Sequence, residues 1–301
     1  MTASPAGSRH AARTRAPWRD WAALTKPGIT RHVLVTAAAG YYLGAAGRPD
    51  WPRVAAFLAG TALVSGGTNA LNQWWEREVD GRMPRTRSRP IPAGRVAPPA
   101  ALAFGPAIGV AGVALLAWRA NLLTAALATF TLASYVLVYT PLKRRTTLNT
   151  LVGCVPGALP ILGGWTAATG RAAPAGWALF AVLFLWQLPH TLSLVWLHRR
   201  DYRAGGLVMP GADDDAGRRT ALKSAAWALA LVAASLVVVP LGVAGRAYFV
   251  VALALGAWLV VDGALWAARP TPARARRLFL ATLGYLPLLL GTMAAAHAAG
   301  I

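Results

Sequence analysis

The sequence has few charged residues, which a soluble protein carries on its surface. Only 13% of its 301 residues are charged, about half the usual share in soluble domains. A single cysteine, Cys154, excludes an intramolecular disulfide and argues against a thiolate metal site. The chain has ten acidic residues and thirty lysines and arginines, so the net charge is +20. The cations lie between apolar blocks, without any motif that reads nucleic acid, and we therefore expect no nucleic-acid partner.

Long apolar blocks dominate the chain, which is 56% hydrophobic. A helix that crosses a bilayer needs about 20 mostly apolar residues. We predict an all-α polytopic membrane protein with nine transmembrane helices, at about 29–46, 54–75, 99–118, 121–139, 148–169, 174–197, 220–243, 247–267 and 277–298.

The basic residues alternate along this pattern of spans. Twenty-five of the thirty lysines and arginines fall on the side of the N-terminus, and five on the other side. Because cationic loops remain in the cytoplasm, we expect a cytoplasmic N-terminus and a C-terminus outside. Residues 1–25 are predicted to be a disordered cytoplasmic tail, followed by one membrane domain at 26–301.

A polar cluster ends the second predicted span. Asn72, Glu76 and Asp80 are spaced i, i+4 and i+8, so on a helix they share one face, from which Glu78 points away. Oxygen ligands of this kind suit Mg²⁺. The spacing alone leaves a helix end solvated by neighbouring arginines equally open.

Basic residues accompany this cluster and two further ones. Four arginines lie in the stretch 82–90 directly after it, and magnesium together with guanidinium groups can cradle a diphosphate. A second cluster, 139–146, ends the fourth span, and a third, 186–202, ends the sixth. Within the third, Asp201 follows two arginines, and by itself it indicates an ion-pair partner.

Several runs of residues carry a resemblance to a known family. Asn72-xxx-Glu76-xxx-Asp80, followed by Met83-x-Arg85-Thr86-xx-Arg89-Pro90, resembles the first signature of the UbiA-type intramembrane prenyltransferases. The runs 139–150 and 186–210 are similar to the branch of that superfamily that farnesylates heme, the heme O synthases. The similarity extends from Lys26 to the C-terminus, although Gly28 stands where the family often has Arg. That departure leaves open whether the turn at Lys26-Pro27 binds phosphate.

The resemblance implies a nine-helix bundle around a central intramembrane cavity, in the inner membrane. It implies transfer of the farnesyl group of farnesyl diphosphate to the 2-vinyl group of heme b, which gives heme O for heme–copper oxidases. Mg²⁺ is the implied cofactor. The implied partners are the lipid bilayer and either heme A synthase or oxidase assembly factors. The implied catalytic residues are Asn72, Glu76, Asp80, Asp201 and Tyr202, the first four as metal ligands; Arg85, Arg89, Lys143 and Arg144 are the implied diphosphate ligands.

Alternatives remain for one residue and for the activity. His190, a histidine within the membrane, either ligates heme iron or hydrogen-bonds a neighbouring helix. An aromatic or quinone-precursor acceptor is less favoured than heme, because the second motif has the single acid Asp201. A transporter is a further alternative, but the acids cluster at one membrane face rather than at its middle.

Overall fold

The computed structural model describes residues 16–298. All regular secondary structure in this part of the chain is helical. The helices are α1 (Trp18–Leu24), α2 (Pro27–Gly44), α3 (Trp51–Trp75), α4 (Arg77–Arg82), α5 (Pro98–Arg119), α6 (Leu122–Ala133), α7 (Thr140–Leu142), α8 (Asn149–Thr169), α9 (Pro174–Leu197), α10 (Arg199–Ala204), α11 (Arg218–Val237), α12 (Arg246–Ala268) and α13 (Pro272–Ala298), and a π-helical segment (Ser134–Tyr139) joins α6 to α7.

Eight helical rods among the described residues are long and apolar enough to cross a membrane. They are α3, α5, the continuous rod from α6 to α7, α8, α9, α11, α12 and α13. The prediction of an all-helical, multi-pass membrane protein is therefore confirmed.

The ninth predicted span is not confirmed. The helix α2 lies where 29–46 was predicted, and its 18 residues correspond to about 27 Å, almost the thickness of a bilayer core. Arg31 and His32 stand in its second turn, however, and Tyr41 and Tyr42 near its end. These side chains make α2 less apolar than the other eight rods.

The predicted tail is too long. Residues 1–15 lie outside the described part, but Trp18–Leu24 forms the helix α1 and Leu24 is fully buried. Asp20 of this helix accepts a 2.9 Å bond from Arg95, and Gln73 donates to the carbonyl oxygen of Leu24 at 2.9 Å. These contacts order a segment whose composition alone predicted disorder.

The bundle surrounds a cavity whose wall does not include the long helices α11 and α12. The helix α2 packs on α3 and α8, α8 on α9, and α9 on α13, while α13 returns to contact α2. The helices α11 and α12 pack behind α9 and α13 and contribute no residue to the cavity. Apolar side chains of α9, α11, α12 and α13 form the largest buried cluster.

One end of the bundle, which we call the basic face, comprises α1, α4, α10 and the loops 82–97, 143–148 and 205–217. The loops are tied together: the Val208 amide donates to the Lys143 carbonyl oxygen at 2.7 Å, and Asn149 Nδ2 donates to the Val208 carbonyl oxygen at 2.6 Å. Val79 and Met83 of the α4 segment pack against Leu207 in the last of these loops. The three predicted polar clusters therefore lie at the same end of the bundle.

Glycines allow α2 and α8 to approach closely. A Cβ at Gly40 would overlap the Ile161 carbonyl oxygen, and one at Gly164 would overlap the carbonyl oxygen of Ala37. Small residues serve this purpose in membrane helices, where close backbone approach contributes packing energy. Gly163, the preceding residue, has nothing within 4 Å of such a Cβ.

We predict that Gly164→Ala lowers thermal stability whereas Gly163→Ala does not. Over-packing costs about 1–3 kcal/mol, while a helical Gly→Ala change without a clash is neutral or favourable by about 0.5–1 kcal/mol. The measurement is the melting midpoint of the purified variants in the same detergent. Equal midpoints for the two variants would contradict the described α2–α8 contact.

Candidate active site

Asn72, Glu76 and Asp80 share one face, as their spacing predicted. The helix α3 ends at Trp75 and α4 begins at Arg77. Across this junction the Glu76 amide still donates to the Asn72 carbonyl oxygen, and the Asp80 amide to that of Glu76. The helical repeat is therefore preserved. Glu78 projects away and is 72% exposed.

Lysines hold the first two of these side chains. Lys26 Nζ donates to Asn72 Oδ1 at 2.8 Å, and Lys143 Nζ donates to Glu76 Oε1 at 2.9 Å. Asn72 Nδ2 in turn donates to the Thr140 hydroxyl at 3.2 Å. Through these groups the start of α2, the end of α3 and both ends of α7 are in contact.

The third of these side chains, Asp80, is bound by an arginine. Arg89 donates from one nitrogen to both carboxylate oxygens of Asp80 at 2.7 Å, and the Asp80 side chain is only 1% exposed. The Thr86 hydroxyl donates to the Asp80 carbonyl oxygen at 2.9 Å, which folds the arginine-rich loop back over α4. A buried carboxylate requires a partner of this kind.

The pairing shifts the pKa values of the groups. Burial lowers the pKa of Lys143, but the Glu76 carboxylate outweighs burial, so that this pKa lies well above its ordinary value. Burial likewise raises the pKa of Glu76, and the charges of Lys143 and then Lys26 hold it below its ordinary value. Burial, followed by the nearby Arg89 charge, lowers the pKa of Lys26 to about 7. Glu76 and Lys143 therefore remain an ion pair at neutral pH.

Lys26 was not among the predicted site residues. Its backbone has a φ of 46°, in the left-handed region that is uncommon for a non-glycine residue, and this conformation turns the chain from α1 into α2. The only signal in the sequence is the Lys26-Pro27 pair, because proline favours the first position of a helix. Nothing in that pair indicates Asn72, 46 residues away, as the partner.

Asp201 and Tyr202 lie on α10, which faces α4. Tyr202 packs against the apolar cluster that contains Val79 and Met83. Asp201 is partly exposed and lies 3.9 Å from His198, rather than pairing with the arginines before it. No group of three His, Cys, Asp or Glu side chains within residues 16–298 is close enough together to hold a metal ion. Asp201 therefore does not join Glu76 and Asp80 in one compact cluster.

The remaining predicted diphosphate ligands differ in their surroundings. Arg85 and Arg144 are exposed, and no ion pair or hydrogen bond of their side chains occurs among the described residues. Arg89 and Lys143, in contrast, are already engaged by carboxylates. Of the four predicted diphosphate ligands, two are therefore exposed guanidinium groups and two are cations already paired with carboxylates.

A cavity of about 720 Å³ extends into the bundle. Most of its lining is apolar, with side chains such as Phe57, Val64 and Leu286. Tyr135 and Tyr139 line it as well, with ring centroids 4.9 Å apart, and Lys143 Nζ lies 4.5 Å from the Tyr139 ring centroid. The π-helical turn that carries both tyrosines thereby connects the cavity to the polar cluster.

His190 also lines this cavity. Its Nδ1 is 2.9 Å from the Thr282 hydroxyl on α13, and its ring lies between those of Trp186 and Phe279, with both centroid distances 4.9 Å. The hydrogen bond between helices that the sequence left as one alternative is present. Because this hydrogen bond uses Nδ1, the other ring nitrogen, Nε2, is available to bind a ligand.

The architecture combines an apolar intramembrane cavity with carboxylates and cations at one end. The sequence profile described as the UbiA prenyltransferase family matches residues 33–295, most of the chain. The chain belongs to the UbiA prenyltransferase family.

Relatives within this family match along nearly the whole chain. A protoheme IX farnesyltransferase of Solibacter usitatus is 44% identical over 285 residues, 91% of this chain and 97% of the relative. A protein of the same name from an Anaeromyxobacter species is 47% identical over 293 residues, 96% and 97% of the two chains.

Solved UbiA-type structures share the fold. A digeranylgeranylglyceryl phosphate synthase superimposes with a TM-score of 0.79 at 14% identity, over 93% of this chain and 98% of its own. A UbiA homologue from Archaeoglobus fulgidus, bound to GPP and Mg²⁺, gives a TM-score of 0.66 at 14% identity, over 91% and 99%. At these identities the likeness concerns the fold.

The polar face of this UbiA member fits a magnesium ion by its donor chemistry. Asn72 offers an amide oxygen, and Glu76 and Asp80 offer carboxylates, which is a set that Mg²⁺ accepts together with waters and phosphate oxygens. Glu76 and Asp80 each already face a cationic nitrogen within 3 Å, and Asn72 accepts a hydrogen bond from Lys26. The two carboxylates therefore stabilise positive charge at this face.

We predict that Arg89→Ala destabilises the protein far more than Arg87→Ala. Removing Arg89 leaves the buried Asp80 carboxylate without its partner, which costs about 3–5 kcal/mol. Arg87 is exposed in the same loop, and its removal should cost less than about 0.5 kcal/mol. The measurement is the melting midpoint in detergent. Comparable losses in both variants would show that the loop, and not the Asp80 pair, determines stability.

Proposed function

We infer that this chain is a protoheme IX farnesyltransferase, which converts heme b, farnesyl diphosphate and water to heme O and diphosphate. The observation that carries this inference is identity of 44% and 47%, over at least nine-tenths of the chain, to proteins of that name. The site agrees with it, because a cationic face adjoins an apolar cavity large enough for an isoprenoid tail. We propose residues 26–301 as the catalytic domain.

The diphosphate binds at the basic face in this proposal. Arg85 and Arg144 are exposed there, and Arg89 and Lys143 stand beside them in contact with carboxylates. Arginine recognises phosphate oxygens in a bidentate manner, and lysine binds them as a point charge. We add Lys26 to these four, since its side-chain nitrogen lies in the same cluster.

Asn72, Glu76 and Asp80 would hold Mg²⁺. Asp201 lies apart from these two carboxylates on α10, and its role as a ligand, like the catalytic role of Tyr202 beside it, stays a prediction. The magnesium reported with GPP in the A. fulgidus homologue supports a metal in this fold. When bound, Mg²⁺ acts as a Lewis acid that stabilises charge on the leaving diphosphate. The helix junction at Glu76 orients the three oxygens for this purpose.

The chain's own residues assist bond cleavage and shield its product. The C1–O bond of farnesyl diphosphate breaks and its electron pair leaves with diphosphate, whose charge Lys143 and the arginines neutralise. The 2-vinyl group of heme b then attacks the allylic cation, and one water molecule adds to the resulting cation with loss of a proton. Tyr135 and Tyr139 line the cavity close to Lys143, and their faces can stabilise positive charge.

We propose that α2 is a ninth span and that the basic face is cytoplasmic in the inner membrane. The helix α2 begins beside the end of α3, because Lys26 contacts Asn72, and it therefore starts on the basic face. Nine crossings then place the C-terminus outside. Because the proposed product serves heme–copper oxidases, we propose heme A synthase or an oxidase assembly factor as the partner.

The test of the activity is incubation of the purified protein with heme b, farnesyl diphosphate and Mg²⁺, with the pigments resolved by mass. We expect farnesylated heme from the wild-type protein. Farnesylation of an aromatic acid in place of heme would favour the alternative acceptor. Absence of any transfer would contradict the proposal.

In the same assay, Glu76→Gln should lose activity by at least a hundredfold, whereas Glu78→Gln should keep it. Glu76 lies on the shared oxygen face and pairs with Lys143, while Glu78 is exposed two residues away. Both changes remove one negative charge from the same segment. Turnover within a few-fold of wild type for Glu76→Gln would rule out its role as a ligand.

Topology is testable with reporter fusions. We expect a reporter after Ile301 to be periplasmic and reporters within 82–95, 143–147 and 203–218 to be cytoplasmic, because cationic loops resist translocation. A cytoplasmic reporter after Ile301, with the three loops still cytoplasmic, would contradict the seven crossings from α5 to α13. A periplasmic reporter at the N-terminus, with the three loops cytoplasmic, would remove α2 from the spans. Loops found on opposite sides of the membrane would contradict a shared diphosphate site.

A further inference from the structure

Two histidines from different helices line the cavity: His32 on α2 and His190 on α9. His32 is five residues after the start of α2 at the basic face, or about 8 Å along the helix. His190 is seven residues before the end of α9 at the same face, or about 10 Å along its helix. Both imidazoles therefore lie at similar depth, roughly two turns below the basic face.

The hydrogen bonds of His190 determine which ring nitrogen carries the proton. The Thr282 hydroxyl donates to the Phe279 carbonyl oxygen at 2.6 Å, so its oxygen accepts the bond from His190 Nδ1. Nδ1 therefore carries the hydrogen in the neutral imidazole, and Nε2 has a free lone pair.

His32 reaches the same state by a different contact. Its Nδ1 lies 2.7 Å from the Gly28 carbonyl oxygen, and a carbonyl oxygen can only accept a hydrogen bond. Nδ1 must be the donor, which again leaves the lone pair on Nε2. Among the hydrogen bonds of the described residues, none involves Nε2 of either histidine.

Metal-ligating histidines typically have this arrangement, with one ring nitrogen fixed by a hydrogen bond and the other available to the metal. The His190 ring is further fixed between Trp186 and Phe279. Ile29 and Val35 on α2 line the cavity yet are 52% and 56% exposed. Both histidines line the same cavity of about 720 Å³, which has space for a flat apolar molecule.

We propose that His32 and His190 ligate the iron of the heme substrate together, one from each wall of the cavity. This proposal rests on the proposed function, since the acceptor is an iron porphyrin there. Two axial imidazoles fix the porphyrin plane within the cavity, and the position of its vinyl edge relative to the diphosphate site depends on that plane. His32 is thereby a substrate-positioning residue.

Ferric heme b added to the purified, full-length protein provides the test, with optical and electron paramagnetic resonance spectra as the readout. We expect a six-coordinate, low-spin spectrum from the wild type. His32→Ala should lose that spectrum and give a high-spin form, and free imidazole should restore the low-spin form. His198→Ala is the matched control, because His198 does not line the cavity, and its spectrum should equal that of the wild type.

A low-spin spectrum that persists in His32→Ala would overturn the proposal, as would loss of heme that imidazole does not restore. A five-coordinate spectrum from a wild-type protein that still produces farnesylated heme would also overturn it, while the proposed function stands. A wild-type protein that neither binds heme nor farnesylates it would instead contradict the proposed function.

Discussion

The basic face depends on the pairing of oxygen donors with cations at the ends of membrane helices. An ionised carboxylate at such a depth is costly unless a counter-charge accompanies it, and Lys143 supplies that charge to Glu76 at 2.9 Å. Because the two residues are 67 positions apart, the pair fixes the end of α7 against the end of α3. Arg89 fixes the loop after α4 in the same way. The contacts that stabilise these ends also assemble the cations that an anionic head group requires.

The π-helical segment relates this polar face to the membrane interior. Inserting an extra residue into a helical turn changes which side chains face inward, and such turns are frequent at functional sites. Here the turn directs Tyr135 and Tyr139 to the cavity and leaves Lys143 above the second ring. An isoprenoid whose head binds at the lysine can thus extend its tail along apolar side chains. In the proposed function, the reacting carbon would lie at the boundary between these two environments.

The sequence predicted the parts of this arrangement that are local. The spacing of Asn72, Glu76 and Asp80 requires only a helical repeat, and the apolar blocks predict eight of the rods. It did not predict Lys26 as the partner of Asn72, because that contact depends on a left-handed backbone turn and on the packing of α1 and α2 against α3. The order of Trp18–Leu24 was missed for a similar reason. A short segment acquires order from distant partners, here Gln73 and Arg95, which local composition cannot indicate.

The choice of acceptor must arise away from the polar face. Solved proteins with 14% identity share this fold, and a fold by itself does not determine a substrate. A site that binds a diphosphate and releases it is indifferent to what attacks the allylic carbon. Discrimination therefore falls to the walls of the cavity formed by α2, α9 and α13, which hold His32, His190 and Phe279. Flat aromatic surfaces together with free imidazole nitrogens are chemistry that distinguishes an iron porphyrin from a small aromatic ring.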